Sequence, residues 1–175
     1  MDDDGLTIGE YEEGDLVEIL AIERDSYPTP WSPNLFRSEM TNSLSRMLVG
    51  RAADDQGRAV AGYIVFWRVA DEFHLHNIAV RRDLRRRRIA SRLLSHGIRI
   101  CRPEGVRWVT LEVRRSNRAA QKLYENLGFT VKGVRRGYYT DTGEDALIMS
   151  ADLEQIPSEG VTPMGRQGAK NDNIA

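Results

Sequence analysis

The apolar positions of this chain change period along its length, and each change marks an element. After Asp15, Leu16, Ile19 and Leu20 fall on one helical stripe, which Glu23 continues as a charged member. Asp15 and Glu18 have the spacing of a capping box, so a helix is expected to start at Asp15 and to end before Tyr27-Pro28. Residues 27–33 hold three prolines and Trp31, which makes a stiff loop, and Ser32-Pro33 then reads as an N-cap with proline at the first helical position of a short helix over 34–41. Two β-rich runs, 46–53 and 59–68, flank Asp54-Asp55-Gln56-Gly57, the chemistry of a hairpin turn. A third strand over 73–80 leads through an arginine-rich turn to a helix over 89–101, whose Ala90, Leu93, Leu94, Gly97 and Cys101 share a face.

Pro103-Glu104-Gly105 breaks that helix. In the strand that follows, over 107–113, Val109, Leu111 and Val113 alternate with Trp108, Thr110 and Glu112. Strand, helix and strand predict a βαβ unit with its two strands parallel. Ser116 or Asn117 can cap the next helix, where Ala120, Leu123, Tyr124 and Leu127 form one apolar stripe, and Gly128-Phe129 is a Schellman-like stop. Two last strands, 130–136 and 146–153, are joined by a polar loop containing residues 141–144.

Composition bounds what this order can be. A chain of 175 residues fits one domain, and 41% hydrophobic with 29% charged residues suits a globular protein. Residues 1–15 carry seven acids and no base and read as a solvated entry segment, while Gly, Pro, Asn and Ser without apolar period dominate after Pro157. The expected organisation is therefore a flexible N-terminus over 1–5, one domain over 6–156 and a flexible tail over 157–175.

The 25 Lys and Arg nearly cancel the 26 Asp and Glu, so no overall field recruits a polyanion and a nucleic-acid partner is not expected. The lone Cys101 leaves no intramolecular disulfide, and no Cys/His cluster offers a metal site. The acidic start is unlike a signal peptide, and no apolar run approaches the roughly 20 residues that cross a bilayer. These features point to a cytoplasmic protein with no membrane partner.

The candidate chemistry sits around the βαβ unit. Arg85-Arg86-Arg87-Arg88-Ile89-Ala90 opens the helix after the third strand, where unpaired backbone N–H groups and the helix dipole favour an anion. Read alone, the run is equally a solvated basic helix start or a weak nucleic-acid patch. Glu112 read alone is a solvent-facing strand residue, Tyr124 a core tyrosine, and His74 and His76 possible bases. Cys101, among apolar neighbours, reads as core and not as a nucleophile.

Taken in order, these stretches resemble the GNAT superfamily of N-acetyltransferases. The turn matches that family's Arg/Gln-x-x-Gly-x-Gly/Ala at Arg85 and Ala90, with Arg88 where the first glycine usually stands; the backbone donors survive there if residue 88 is right-handed. Leu75-His76-Asn77-Ile78-Ala79-Val80, the run from Leu111 to Asn117, Leu123-Tyr124-Glu125 with Leu127-Gly128-Phe129, Arg136-Gly137-Tyr138-Tyr139 and Glu144-Asp145-Ala146 resemble, in order, the RimI-like enzymes that acetylate the N-terminal alanine of a ribosomal protein. The matched stretches span about residues 73–150.

The resemblance implies an α/β GNAT fold: a twisted mixed sheet, mostly antiparallel, with a parallel pair at the acetyl-CoA cleft and helices on its flanks. It implies acetyl-CoA as cosubstrate, no metal, and a protein N-terminus, that of a ribosomal protein, as acceptor. It assigns Glu112 as general base and Tyr124 as general acid. Acetyl-CoA contacts fall to the backbone of Ile78, Ala79 and Val80, to the turn Arg85, Arg86, Arg87, Arg88, Ile89, Ala90 and Ser91, and to Asn117. The peptide-gripping loops of such enzymes correspond to Tyr27 and Trp31 and to Tyr138 and Tyr139, which can instead pack on each other as a lid. Asp25 or Glu39 can receive a positive charge on the substrate. A lysine side chain or a small-molecule amine stays open as the alternative acceptor.

Overall fold

The computed structural model describes residues 5–54 and 57–156. Its elements are β1 (Thr7–Glu10), α1 (Leu16–Ser26), α2 (Pro33–Thr41), β2 (Ser45–Asp54), β3 (Gly57–Val69), β4 (Glu72–Val80), α3 (Ile89–Cys101), β5 (Trp108–Arg114), α4 (Arg118–Asn126), β6 (Thr130–Tyr139) and β7 (Glu144–Asp152). The seven strands form one sheet in the order β1-β2-β3-β4-β5-β7-β6. Every neighbouring pair is antiparallel except β4 and β5, the parallel pair expected of the βαβ unit. The expected flexible tail lies outside the described residues, as do residues 1–4 and the tip of the β2–β3 turn at 55–56.

Helices cover both faces of the sheet, so β3 is buried without interruption from Val60 to Phe66. Tyr63 and Val65 point to the side where Leu16, Ile19, Ile22 and Phe36 of α1 and α2 pack. Ile64 and Phe66 point to the other side, among Leu93 and Leu94 of α3, Phe73, Leu111 and Met149. There α3 lies close, because Gly97 carries no side chain: a Cβ at that position would stand 3.1 Å from Phe73 Cε2 and 3.3 Å from Phe66 Cε1. Those two rings are stacked with centroids 4.1 Å apart.

The helix ends follow their caps. Ser32 Oγ accepts from Leu35 N with Pro33 at the first helical position, and Asn117 Oδ1 accepts from Ala120 N at 3.1 Å. At the end of α4, Phe129 N donates to Tyr124 O and Gly128 N to Glu125 O, a Schellman motif that Gly128 permits at φ 87°.

Two expectations fail at the N-terminal side. The entry segment is not wholly solvated, since β1 adds to the sheet edge along β2 and Leu6 joins the core. Four residues are too short to display a period, and their template is β2, far along the chain. The capping box of α1 is not between Asp15 and Glu18. Asp15 closes the preceding 3₁₀ turn with Glu12 and pairs with Arg51 at 2.5 Å, while Glu18 Oε2 accepts from Val60 N.

Candidate active site

The site begins where the sheet parts. β4 and β5 pair in register from Glu72↔Trp108 to Leu75↔Leu111 and no further, although β4 runs on to Val80 and β5 to Arg114. The wedge between them is the floor of a cleft of about 1270 Å³. Ile78, Ala79 and Val80 line it from β4, and His76 and Glu112 are the first residues of the two strands past the split. Asn117 lines it from the start of α4, Tyr124 from further along that helix.

Beyond the end of β4 lies the arginine turn. Arg85, Arg86, Arg88, Ile89, Ala90 and Ser91 line the cleft. The Ile89, Ala90 and Ser91 amides belong to the first turn of α3, ahead of the first helical bond from Arg92 N to Arg88 O, and the N-cap adds no side-chain bond. These are the donors that fit a pyrophosphate. Arg88 is left-handed at φ 60°, as is Arg86 at φ 67°, so the expected right-handed residue 88 is not found. Arg88 keeps the backbone shape a glycine would take freely and bears its strain. Arg87, between two left-handed residues, is exposed beside Asp83 and is not among the residues that line the cleft. Arg85 is a brace as well: it donates to Val80 O at 3.1 Å and to Ser26 Oγ at 3.0 Å, with Asp25 3.6 Å away. Asp25 also faces Arg82, and Arg81 pairs with Asp83, so part of the basic run is engaged within the protein.

Arg88→Gly is expected to raise stability by roughly 1 kcal/mol, the relief of a left-handed residue less the entropy glycine restores to the unfolded chain. If the cleft holds acetyl-CoA as the resemblance implies, the same change is expected to weaken that binding, because a guanidinium is lost from the cleft wall. Thermal melts and calorimetry read the opposite signs, and a fall in melting temperature would contradict the strain.

At the split, the Glu112 side chain is 13% exposed and its Oε1 lies 3.1 Å from Arg135 Nη1. The ring of Tyr124 is buried against Phe129, and no described residue hydrogen-bonds its hydroxyl. Burial, with Tyr139 adding to it, pushes this phenol well above the ordinary tyrosine value, so it stays protonated. His76 lines the same floor with its imidazole held below the usual value by burial and by His74. Cys101 is far from this chemistry: it is fully buried, and burial raises its thiol.

The acceptor end is walled by two segments. Tyr27 donates to Ile78 O at 2.5 Å, which ties the α1–α2 loop to the floor, and Trp31 packs on Phe36 with centroids 5.4 Å apart. Tyr138 and Tyr139 end β6 itself and are not in a loop; their rings stand edge to face at 5.1 Å, and Tyr139 is pushed up to about 12, mainly by burial. The extension of β6 follows from its pairing at Tyr139↔Glu144, across a register break that sequence periodicity hides. Among the described residues no ring contact joins Tyr27 or Trp31 to Tyr138 or Tyr139, so the alternative of a ring-on-ring lid is not observed.

The acidic candidates for charge recognition are placed elsewhere. Asp25 is paired as above, and Glu39 accepts from Trp67 Nε1 at 2.6 Å; neither lines the cleft. Of the acids of α1 and α2, the one that lines it is Glu23, 1% exposed. Its Oε1 accepts from Trp31 N at 2.8 Å, both oxygens lie within 3.3 Å of Asn77 Nδ2, and Tyr63 donates its hydroxyl to Oε2. The sequence did carry a signal for it, a carboxylate standing on the apolar stripe of α1.

The sequence model of the Acetyltransferase (GNAT) family matches residues 16–129, which takes in the floor, the turn and α4. The chain belongs to the GNAT acetyltransferase family. Among its GNAT relatives, the [ribosomal protein bS18]-alanine N-acetyltransferase of Escherichia coli strain K12 is 40% identical over 84% of this chain and 97% of its own. The N-alpha-acetyltransferase RimI of Mycobacterium tuberculosis is 32% identical over 86% of this chain and 95% of its own. The crystal structure of the ribosomal-protein-S18-alanine N-acetyltransferase from Escherichia coli superposes with a TM-score of 0.74 at 36% identity, covering 85% of this chain and 94% of that one. The fold expected from the GNAT resemblance is the one observed. No described helix is long and apolar enough to cross a membrane, and no group of three or more His, Cys, Asp or Glu able to hold a metal occurs among the described residues.

Proposed function

We propose that this chain transfers the acetyl group of acetyl-CoA to the α-amine of a protein N-terminus, the acceptor being the N-terminal alanine of a small-subunit ribosomal protein in the cytoplasm. One observation carries the reading: a carboxylate, Glu112, and a protonated phenol, Tyr124, line one cleft that runs from the amides opening α3 to the aromatic walls at Tyr27 and Tyr139. An α-amine is mostly protonated near neutral pH, so a proton must leave before nitrogen attacks the thioester carbonyl. Glu112 takes that proton, through water, and Tyr124 gives one to the departing sulfur. The Ile89, Ala90 and Ser91 amides with Arg86 and Arg88 hold the pyrophosphate of acetyl-CoA, which supplies the activated acyl group. The names of the relatives support the choice of acceptor.

The test is a panel of peptides with free, blocked or lysine-only amines. The free α-amine is expected to react fastest, and preference for the blocked peptide's lysine would overturn the reading. Tyr124→Phe is expected to lower kcat about 10- to 100-fold while acetyl-CoA affinity stays within two-fold, since the ring still packs on Phe129 and only the proton is lost. Because the phenol is raised, the wild-type rate should not fall below about pH 10 through loss of this proton. An alkaline limb near pH 8 that disappears in Tyr124→Phe would contradict the assignment.

A further inference from the structure

Arg114 has no part in the chemistry proposed above, yet it is the most heavily engaged side chain at the acceptor end. It follows Glu112 by two residues on β5 and so points to the same face of the sheet. Its Nη2 pairs with Asp141 Oδ2 at 2.7 Å, and its Nη1 donates to Thr142 Oγ1 at 2.9 Å and lies 3.5 Å from Glu144 Oε2. Its guanidinium carbon stands 3.9 Å over the ring of Tyr139. The same Asp141 oxygen accepts from Thr29 Oγ1 at 2.7 Å, across 112 residues of sequence. Glu144 Oε1 in turn accepts from Ser116 N at 2.5 Å, in the turn that leads to Asn117.

Thr29 belongs to the α1–α2 loop and Asp141 to the β6–β7 turn, and both line the cleft. Through the single Asp141 carboxylate, the two walls are joined over the acceptor end. An exposed ion pair alone contributes little. Here the Arg114 and Asp141 side chains are 19% and 21% exposed, and the pair is reinforced by two hydroxyls and a ring.

We propose that Thr29, Asp141 and Arg114 form a clasp that closes the α1–α2 loop onto the β6–β7 turn, with Arg114 as a positioning residue for the acceptor. It holds Tyr139 and the Tyr27 loop at a fixed spacing beside Glu112, so that the acceptor meets a preformed passage. The proposal rests on the acceptor reading above for its effect on turnover, but not for its mechanical content. Without the clasp, each acceptor must first order two independent segments and binds more weakly for it. The acetyl-CoA end, built from β4 and α3, is not touched.

Thr29→Val removes one hydrogen bond at an exposed position with almost no change of shape, and Thr29→Ser restores it. In Thr29→Val the acceptor KM is expected to rise about five-fold, the worth of one ordinary hydrogen bond, with kcat and the acetyl-CoA dissociation constant within two-fold. Thr29→Ser should recover most of the loss, and Asp141→Ala combined with Thr29→Val should be no worse than Asp141→Ala alone. Hydrogen exchange gives a readout free of turnover: Thr29→Val should speed exchange at the Thr142 and Gly143 amides, which bond to Tyr139 O in the other wall. An unchanged acceptor KM, an equal change in acetyl-CoA affinity, or faster exchange confined to the mutated loop would each overturn the clasp. If the wild type transfers acetyl to no N-terminal peptide, the acceptor reading fails instead, and the exchange experiment still decides whether the two walls are joined.

Discussion

Glu112→Gln is expected to lower kcat by about 10²- to 10⁴-fold while acetyl-CoA still binds, the result of removing the proposed general base and keeping its shape. The size follows from position. Glu112 is the first residue of β5 beyond the last β4–β5 pair, where the floor opens, and its side chain is only 13% exposed. Arg135, 3.1 Å away on β6, faces the carboxylate and is itself half exposed. An amide in place of the carboxylate keeps the shape but removes both the ability to take up a proton and the charge that pairs with Arg135. Single-turnover kinetics with an alanine-initiated peptide, beside calorimetry with acetyl-CoA, separates the two effects. A kcat within three-fold of wild type would transfer the role of base to His76, which stands at the matching place on β4.

Glu23→Ala is the largest expected loss of stability, about 3–5 kcal/mol, because a buried acceptor is withdrawn from partners that cannot turn to water. The Tyr63 hydroxyl, the Asn77 amide and Trp31 N all point at this one carboxylate, and Tyr63 is fully buried. At the scale of this chain the melting temperature should fall by roughly 10 °C. Tyr63→Phe, which removes one donor and leaves the carboxylate its bonds from Trp31 and Asn77, should cost about 1–2 kcal/mol. Denaturant titrations measure both, and equal losses in the two variants would show that Glu23 does not organise the cluster.

The elements themselves were legible because each is long enough to display its period. The stripe of α3, the alternation of β5 and the Gly128 stop of α4 were readable in place, and the parallel pair followed from their order. What was hidden lacks a local pattern. β1 is four residues whose only reason to be a strand is the free edge of β2. Tyr138 and Tyr139 continue β6 across a register break, so no alternation leads to them. In the site, resemblance led to Glu112 and Tyr124, which the structure places in one cleft, but the residues that hold the walls in place were not seen. Glu23 gave a faint sign as an acid on an apolar stripe. Thr29, Arg114 and Asp141 gave none, since three polar residues so far apart in sequence acquire meaning only when the fold makes them neighbours.

The missing side chain at Gly97 reaches further than the core it fills. About 13 Å along the same helix, toward its start, sits the arginine turn that lines the cleft. A side chain at residue 97 would stand 3.1 Å from Phe73 Cε2 and 3.3 Å from Phe66 Cε1, so even a methyl there must push α3 and the stacked rings apart. Gly97→Ala is thus expected to shift the helix that carries the arginine turn at its start.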